Sequence, residues 1–281
     1  MGRGRNSTRR PHIADGLIMK ILLAAKFVSG SRRPIGGVQS WCDTVANELR
    51  QRGHLVGVWG SEQTVPLGGF DLGIIAHPKD TARAFDLCRK SIVVCHGIIP
   101  AESPLQGYKV AFTSEEVRDH WNGDGPIIRQ PIDLNFWSEE ASLRQLLTRF
   151  SYRSGLDFIE PLATSMGYQY YHLHHARAIS ARTIVRESVC VLATGRSALE
   201  AMACGVPVVL CDHRIGYMEP LMDLDATGAA QRNYSGRGGV TPTVTNVKQA
   251  VEQAMEAGSM LEHVTEHHNV KDIVDQLLGL A

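Results

Sequence analysis

The sequence predicts an α/β protein made of two doubly wound, Rossmann-like units in tandem, with a ligand cleft between them. Three observations lead there. From Met19 onward, short continuously apolar runs alternate with longer amphipathic ones, as expected for parallel sheets covered on both faces by helices. The alternation breaks once, at Gln130-Pro131-Ile132-Asp133-Leu134-Asn135-Phe136-Trp137, and then resumes. The 281 residues are enough for two compact cores, since a domain typically takes about 100–200. These observations divide the chain into a flexible basic tail over 1–18, a first unit over 19–137 and a second over 138–281. In sheets of this kind ligands bind beyond the carboxyl ends of the strands, so two such units create a cleft.

Along the first unit, strands are expected at 19–27, 55–60, 72–77, 91–96, 109–113 and 127–130. Between the first two, Val38, Trp41, Cys42, Val45 and Leu49 share one face of a helix that Gly53 ends. The acidic Ser138-Glu139-Glu140 then opens the second unit. Here four strands are expected, at 144–150, 168–173, 189–193 and 207–211, with helices near 155–166, 176–187 and 197–204. Two polar helices, about 245–257 and 260–279, close the chain.

Composition excludes several classes of function. With 43% hydrophobic residues and 29 basic against 29 acidic side chains, the chain is neither disordered nor fibrous. The tail carries Arg3, Arg5, Arg9 and Arg10 against Asp15, a charge of +3, so the remainder sums to −3. A mildly acidic body does not support a mainly electrostatic nucleic-acid binder, although a local patch or a membrane-surface contact stays compatible. The tail lacks the apolar core of a secretory signal, and no stretch approaches the ~20 apolar residues of a transmembrane helix. The six cysteines form no Cys-x-x-Cys pair and mostly sit in apolar runs, which is cytoplasmic usage of reduced thiols.

The stretch richest in chemistry is Ala193-Thr194-Gly195-Arg196-Ser197-Ala198-Leu199-Glu200-Ala201-Met202-Ala203-Cys204-Gly205-Val206-Pro207-Val208-Val209. A buried strand ends at Thr194, Gly195 permits a tight turn, and the amides that start the next helix can hold a phosphate. Glu200, on that helix, could reach ribose hydroxyls. The same residues also read as a capping box, Ser197-x-x-Glu200, that only starts a helix. A Gly-x-Gly-x-x-Gly after the first strand, a P-loop and a Gly-x-Ser-x-Gly are all absent from the sequence, which argues against a dehydrogenase, an NTPase and an ordinary hydrolase.

This stretch resembles the donor-binding motif of retaining nucleotide-sugar glycosyltransferases with the two-domain GT-B architecture, above all the large GT4 family. Further resemblances follow in order: Pro34-Ile35-Gly36-Gly37-Val38 with Arg52-Gly53-His54-Leu55-Val56, the strand ends Ile75-Ala76-His77 and Val94-Cys95-His96-Gly97-Ile98, Thr113-Ser114-Glu115-Glu116-Val117, and Gln130-Pro131-Ile132-Asp133. The resemblance implies that Gly195, Arg196, Ser197 and Ala198 hold the donor diphosphate, that Glu200 holds the ribose, and that Gly36 and Gly37 line the donor or acceptor approach. His96 is implied near the reacting carbon. Arg149 and Arg153 are the candidates for neutralising the leaving diphosphate, with Arg196 a third. Leu192 stands where the family has an earlier glutamate that contacts the donor sugar.

The expected function is transfer of a sugar from a nucleotide diphosphate sugar, a UDP-sugar foremost, to an acceptor that is a small molecule, glycan, lipid or modified DNA base. Retention of anomeric configuration is expected from the resemblance and from the lack of an obvious cleft carboxylate in the sequence. Neither a cofactor nor a metal is expected; His263-Val264-Thr265-Glu266-His267 and His172-Leu173-His174-His175 have metal-like spacing, but the first lies in a polar helix and the second reads as a loop rim. A nucleotide-sugar epimerase or hydrolase on the same scaffold, and a non-catalytic nucleotide-sugar binder, are the alternatives.

Overall fold

The structure is a computed structural model that describes residues 18–28, 37–138, 145–151, 155–173, 178–213, 216, 218–220 and 226–281. The expectations placed on the tail over 1–17, on Gly36, on Arg153 and on His174 and His175 lie outside the described residues.

The first unit holds a parallel sheet of β1 (Lys20–Ala25), β2 (Leu55–Gly60), β3 (Phe70–Ile75), β4 (Cys88–Cys95) and β5 (Lys109–Phe112), in the order β2-β1-β3-β4-β5. The apolar centre of β1, Ile21 to Ala25, is buried throughout, because helices cover both faces of the sheet. One cover is α1 (Gly37–Gln51), which buries Trp41, Cys42, Val45 and Leu49, four residues of the face anticipated from sequence. The helices α2 (Arg83–Leu87) and α3 (Glu115–His120) follow β3 and β5. The Ser114 side chain caps α3 by accepting the Val117 amide at 3.3 Å.

The second unit repeats this winding with β6 (Leu146–Phe150), β7 (Gln169–Leu173), β8 (Ser188–Ala193), β9 (Val208–Cys211) and β10 (Met218–Pro220), ordered β10-β9-β8-β6-β7. The order reverses between β1 and β3 in one unit and between β6 and β8 in the other, the switch points at which such sheets bind ligands. The helices of this unit are α4 (Leu134–Trp137), α5 (Ile159–Ser165), α6 (Ala178–Arg186), α7 (Arg196–Ala203), α8 (Ala226–Gln231), α9 (Val244–Ala257) and α10 (Leu261–His267). The chain ends in α11 (Val270–Gly279).

Three differences from the sequence reading have physical causes. No strand forms over 127–130; Pro126 and Pro131 bracket the segment, and it makes only an isolated bridge from Ile127 to Phe112. The second sheet gains a fifth strand, β10, which runs antiparallel to β9 and is too short to show an apolar run. The expected helix over 260–279 is two helices. The His268 carbonyl accepts the Ile132 amide (2.7 Å) and the Val270 amide donates to the Ile132 carbonyl (3.1 Å), which pulls the backbone out of the helix until Asn269 caps the next one.

That break has a consequence for the units. Val270, Ile273, Val274 and Leu277 of α11 pack into the core of the first sheet, with Ile21, Leu49 and Ile92. Ile132 and Trp137, from the crossover, pack into the core of the second. The chain therefore passes between the units at 131–137 and returns at 268–270, so the first unit includes α11 although it comes last in sequence.

Candidate active site

The carboxyl ends of β1, β3 and β4 carry Lys26, His77 and His96, and the end of β8 leads through Thr194 and Gly195 into α7. Gly195 adopts φ 59°, ψ −132°, a conformation open to glycine, and is itself the residue before the helix. Ser197 thus lies within the first turn, and the capping-box reading does not hold: no side chain caps α7. The amides of Ala198 and Leu199 both return to the Gly195 carbonyl, so those of Arg196 and Ser197 precede the first bonds of the helix.

Two helix starts face each other here. A Cβ built on Gly37, the first residue of α1, would stand 3.9 Å from Cβ of Arg196, the first residue of α7. The first residues of two helices, one from each unit, are thus in contact, and the amides of such first turns carry partial positive charge. Arg196 joins the two units. Its Nε donates to Glu200 Oε1 (3.0 Å), its Nη1 to the Pro131 carbonyl (2.8 Å) and its Nη2 to Thr44 Oγ1 on α1 (2.7 Å). The guanidinium expected to meet a diphosphate is therefore already engaged, and it ties α1, the crossover and α7 together. Burial pushes the Glu200 carboxyl up and the charge of Arg196 draws it back down; the arginine stays charged in any protein setting.

His96 is buried, and neither ring nitrogen has a hydrogen-bond partner. Its ring meets the edge of Trp41 at 4.9 Å between centroids, and the Trp41 indole N–H is likewise buried without a partner. Burial holds the imidazole down at about 4, with Glu102 opposing that shift and His77 and Arg196 adding to it. A ring held there is uncharged at neutral pH. The turn that presents it is tightly held. Thr113 Oγ1 donates to the Cys95 and His96 carbonyls (3.3 and 3.2 Å), Trp121 Nε1 to the Gly97 carbonyl (3.0 Å) and Asn233 Nδ2 to the His96 carbonyl (3.2 Å).

Asn233 and the adjacent Tyr234 are residues the sequence reading missed. Both sit at φ 52°, a left-handed conformation uncommon outside glycine. The Tyr234 carbonyl accepts the Gly195 amide at 2.7 Å. Its hydroxyl bonds to His263 Nε2 (2.6 Å) and His268 Nε2 (2.9 Å), while His268 Nδ1 bonds to the Gln130 carbonyl (2.8 Å). One two-residue corner thus anchors the Gly195 turn to the His96 turn and to the crossover. His263, whose spacing with His267 is metal-like in sequence, serves this hydrogen-bond cluster. No signal in Gln231-Arg232-Asn233-Tyr234-Ser235 announces the corner, because its partners are remote in sequence.

Glu102 is a second omission. The sequence reading found no carboxylate for the cleft, yet Glu102 is buried beside His77, with Oε1 3.4 Å from His77 Nε2. It lies on a 3₁₀ turn, Pro100–Glu102, that closes back on the strand end. Arg149 is buried at the carboxyl end of β6, in register with Leu192 of β8; it donates to the Gly155 carbonyl and lies beside Tyr170 and Cys211. The structure brings together Gly37, His96, Gly195, Arg196, Ser197, Ala198 and Glu200, and sets Arg149 at the end of the strand that neighbours β8.

No protein-family model matches the chain, and no curated protein does. Solved structures match it well in fold. It is similar to AviGT4, a glycosyltransferase involved in avilamycin A biosynthesis, with a TM-score of 0.59 at 14% identity over 93% of this chain and 96% of that one. It is also similar to the sucrose-phosphate synthase of Thermosynechococcus elongatus, with a TM-score of 0.57 at 13% identity over 93% and 98% of the two chains. The architecture is accordingly that of GT-B proteins, two Rossmann-like units about a cleft.

Proposed function

We propose that the protein is a glycosyltransferase that moves a sugar from a nucleotide diphosphate sugar, a UDP-sugar foremost, to a hydroxyl acceptor with retention of configuration. The observation that carries this reading is the meeting of the α1 and α7 starts at Gly37 and Arg196, with a buried carboxylate, Glu200, one turn along α7. Two helix N-termini suit a diphosphate, whose negative charge grows as the anomeric carbon–oxygen bond breaks. The acceptor oxygen bonds to that carbon, the nucleoside diphosphate leaves with the bonding electron pair, and one proton is released. Ser197 and the amides of Arg196 and Ser197 would hold the phosphates, and Glu200 the ribose through the oxygen that Arg196 does not use. A neutral His96 contributes a hydrogen bond at the sugar without repelling developing positive charge on the ring carbon. Retention is carried by the GT4-like motif, and the two solved relatives in fold support glycosyl transfer at the level of reaction class.

Calorimetric titration of the full chain with UDP, GDP and ADP tests the reading. One of the three should bind, and Gly195→Ala should weaken it by about tenfold or more, since a side chain at that φ and a shifted turn misplace the amides. Absence of binding by all three would sink the proposal.

A further inference from the structure

We propose that Glu102 and His77, against His96, form the site that receives the hydroxyl of a neutral, polyol-type acceptor. The site rests on the transferase reading given above and specifies the acceptor side of the same cleft. Glu102 Oε1 faces His77 Nε2 at 3.4 Å. His77 Nδ1 accepts the Lys26 amide at 3.4 Å, which leaves the ring proton on Nε2, directed at the carboxylate. The other oxygen, Oε2, is buried with no hydrogen-bond partner. It lies 2.9 Å from where a Cβ on Gly97 would sit, so the glycine after His96 makes room for this carboxylate and needs no special φ to be required there. His77 is held at φ 52°, a second unusual backbone at the same place.

Four buried polar atoms without partners therefore gather here: Glu102 Oε2, His96 Nδ1, His96 Nε2 and Trp41 Nε1. Native interiors rarely leave such atoms unpaired, and here the hydroxyls of an acceptor would complete their hydrogen bonds. Their chemistry defines that ligand. A carboxylate oxygen needs a donor, and a hydroxyl supplies one; a phosphate or carboxylate group would be repelled by Glu102. An uncharged His96 offers no counter-charge to an anion, but it can donate to or accept from a hydroxyl. The indole N–H of Trp41 adds a donor for a neighbouring oxygen, so vicinal hydroxyls fit better than a lone one.

The test uses the full chain with its histidine rings isotope-labelled and saturated with whichever nucleotide binds, the ring signals being assigned with His77→Gln and His96→Gln. Glycerol and methyl α-glucopyranoside serve as neutral probes and inorganic phosphate as the anionic one. The neutral probes should move the His77 and His96 signals and phosphate should not. Glu102→Ala and the shape-preserving Glu102→Gln should each weaken that response about tenfold, the loss expected for one hydrogen bond to a charged group. Nucleotide affinity within about twofold of the parent certifies that both variants are folded. A response that survives in Glu102→Ala, a response to phosphate alone, or none to either neutral probe while nucleotide binds overturns the site. If no nucleotide binds, the transferase reading itself has failed, a separate result seen before any acceptor probe is added.

Discussion

Glu200 and Arg196 are both nearly inaccessible to solvent and joined at 3.0 Å, so each determines what removal of the other does. Glu200→Ala would leave a buried guanidinium without its counter-charge, which typically costs about 3 kcal/mol; Glu200→Gln keeps the hydrogen bond and should cost well under half of that. Chemical denaturation should show this difference, and nucleotide titration of the glutamine variant then reads ribose binding without the confounding loss of stability. Acid sensitivity is a second property of single residues. His96 is held down at about 4 and His268 at about 3, in both cases first by burial. Unfolding releases each ring to its ordinary value of 6.5, so between that value and the folded one the unfolded chain binds more protons. Their contribution is complete above pH ~6.5 and shrinks as pH falls; by pH 5 each has lost about 2 kcal/mol. Thermal melts should therefore drop steeply from pH 7 to 5, and His268→Gln should flatten that slope. A slope unchanged in the variant would mean that His268 is not the buried neutral ring the Tyr234 cluster implies.

At the scale of elements, α11 is the one whose place its sequence conceals. Its apolar face, Val270, Ile273, Val274 and Leu277, does not say which sheet it covers; the exchange of backbone bonds between Ile132 and the His268–Val270 segment, and the bonds from Arg52, just after α1, to Asp275 and the Lys271 carbonyl, direct it to the first one. Ile273→Ala should destabilise the protein by about 2–4 kcal/mol, measured by denaturant unfolding. The loss should be shared by first-unit probes such as Trp41 and Trp59 fluorescence, and an effect confined to second-unit signals would contradict the packing. The strands were legible because their apolar runs are continuous: β2 is found at the expected residues, and β1, β4, β6, β7, β8 and β9 lie at or close to theirs. What was not legible was short or local. The strand β10 has three residues, and the bracket of Pro126 and Pro131 outweighs the apolar Ile127 and Ile128.

For the whole molecule, the crossover at 131–137, the return at 268–270 and the Arg196, Asn233 and Tyr234 ties couple two sheets that could otherwise open as separate bodies. Calorimetric melting should show one cooperative transition. Tyr234→Phe, which releases His263 and His268, should broaden or split it. Two unaltered, independent transitions in the parent would refute the coupling. By itself, the sequence determined the two doubly wound units and the Gly195 turn, because apolar periodicity and a glycine-started helix are local properties of neighbouring residues. Only the tertiary structure decided that Arg196 is a tie between units, that α11 completes the first core, and that Glu102, His77 and His96 share one buried corner. Those outcomes depend on which surfaces meet. Contacts such as Asn233 with His96 or Gln130 with His268, each spanning more than a hundred residues, leave no periodic trace in the chain that forms them.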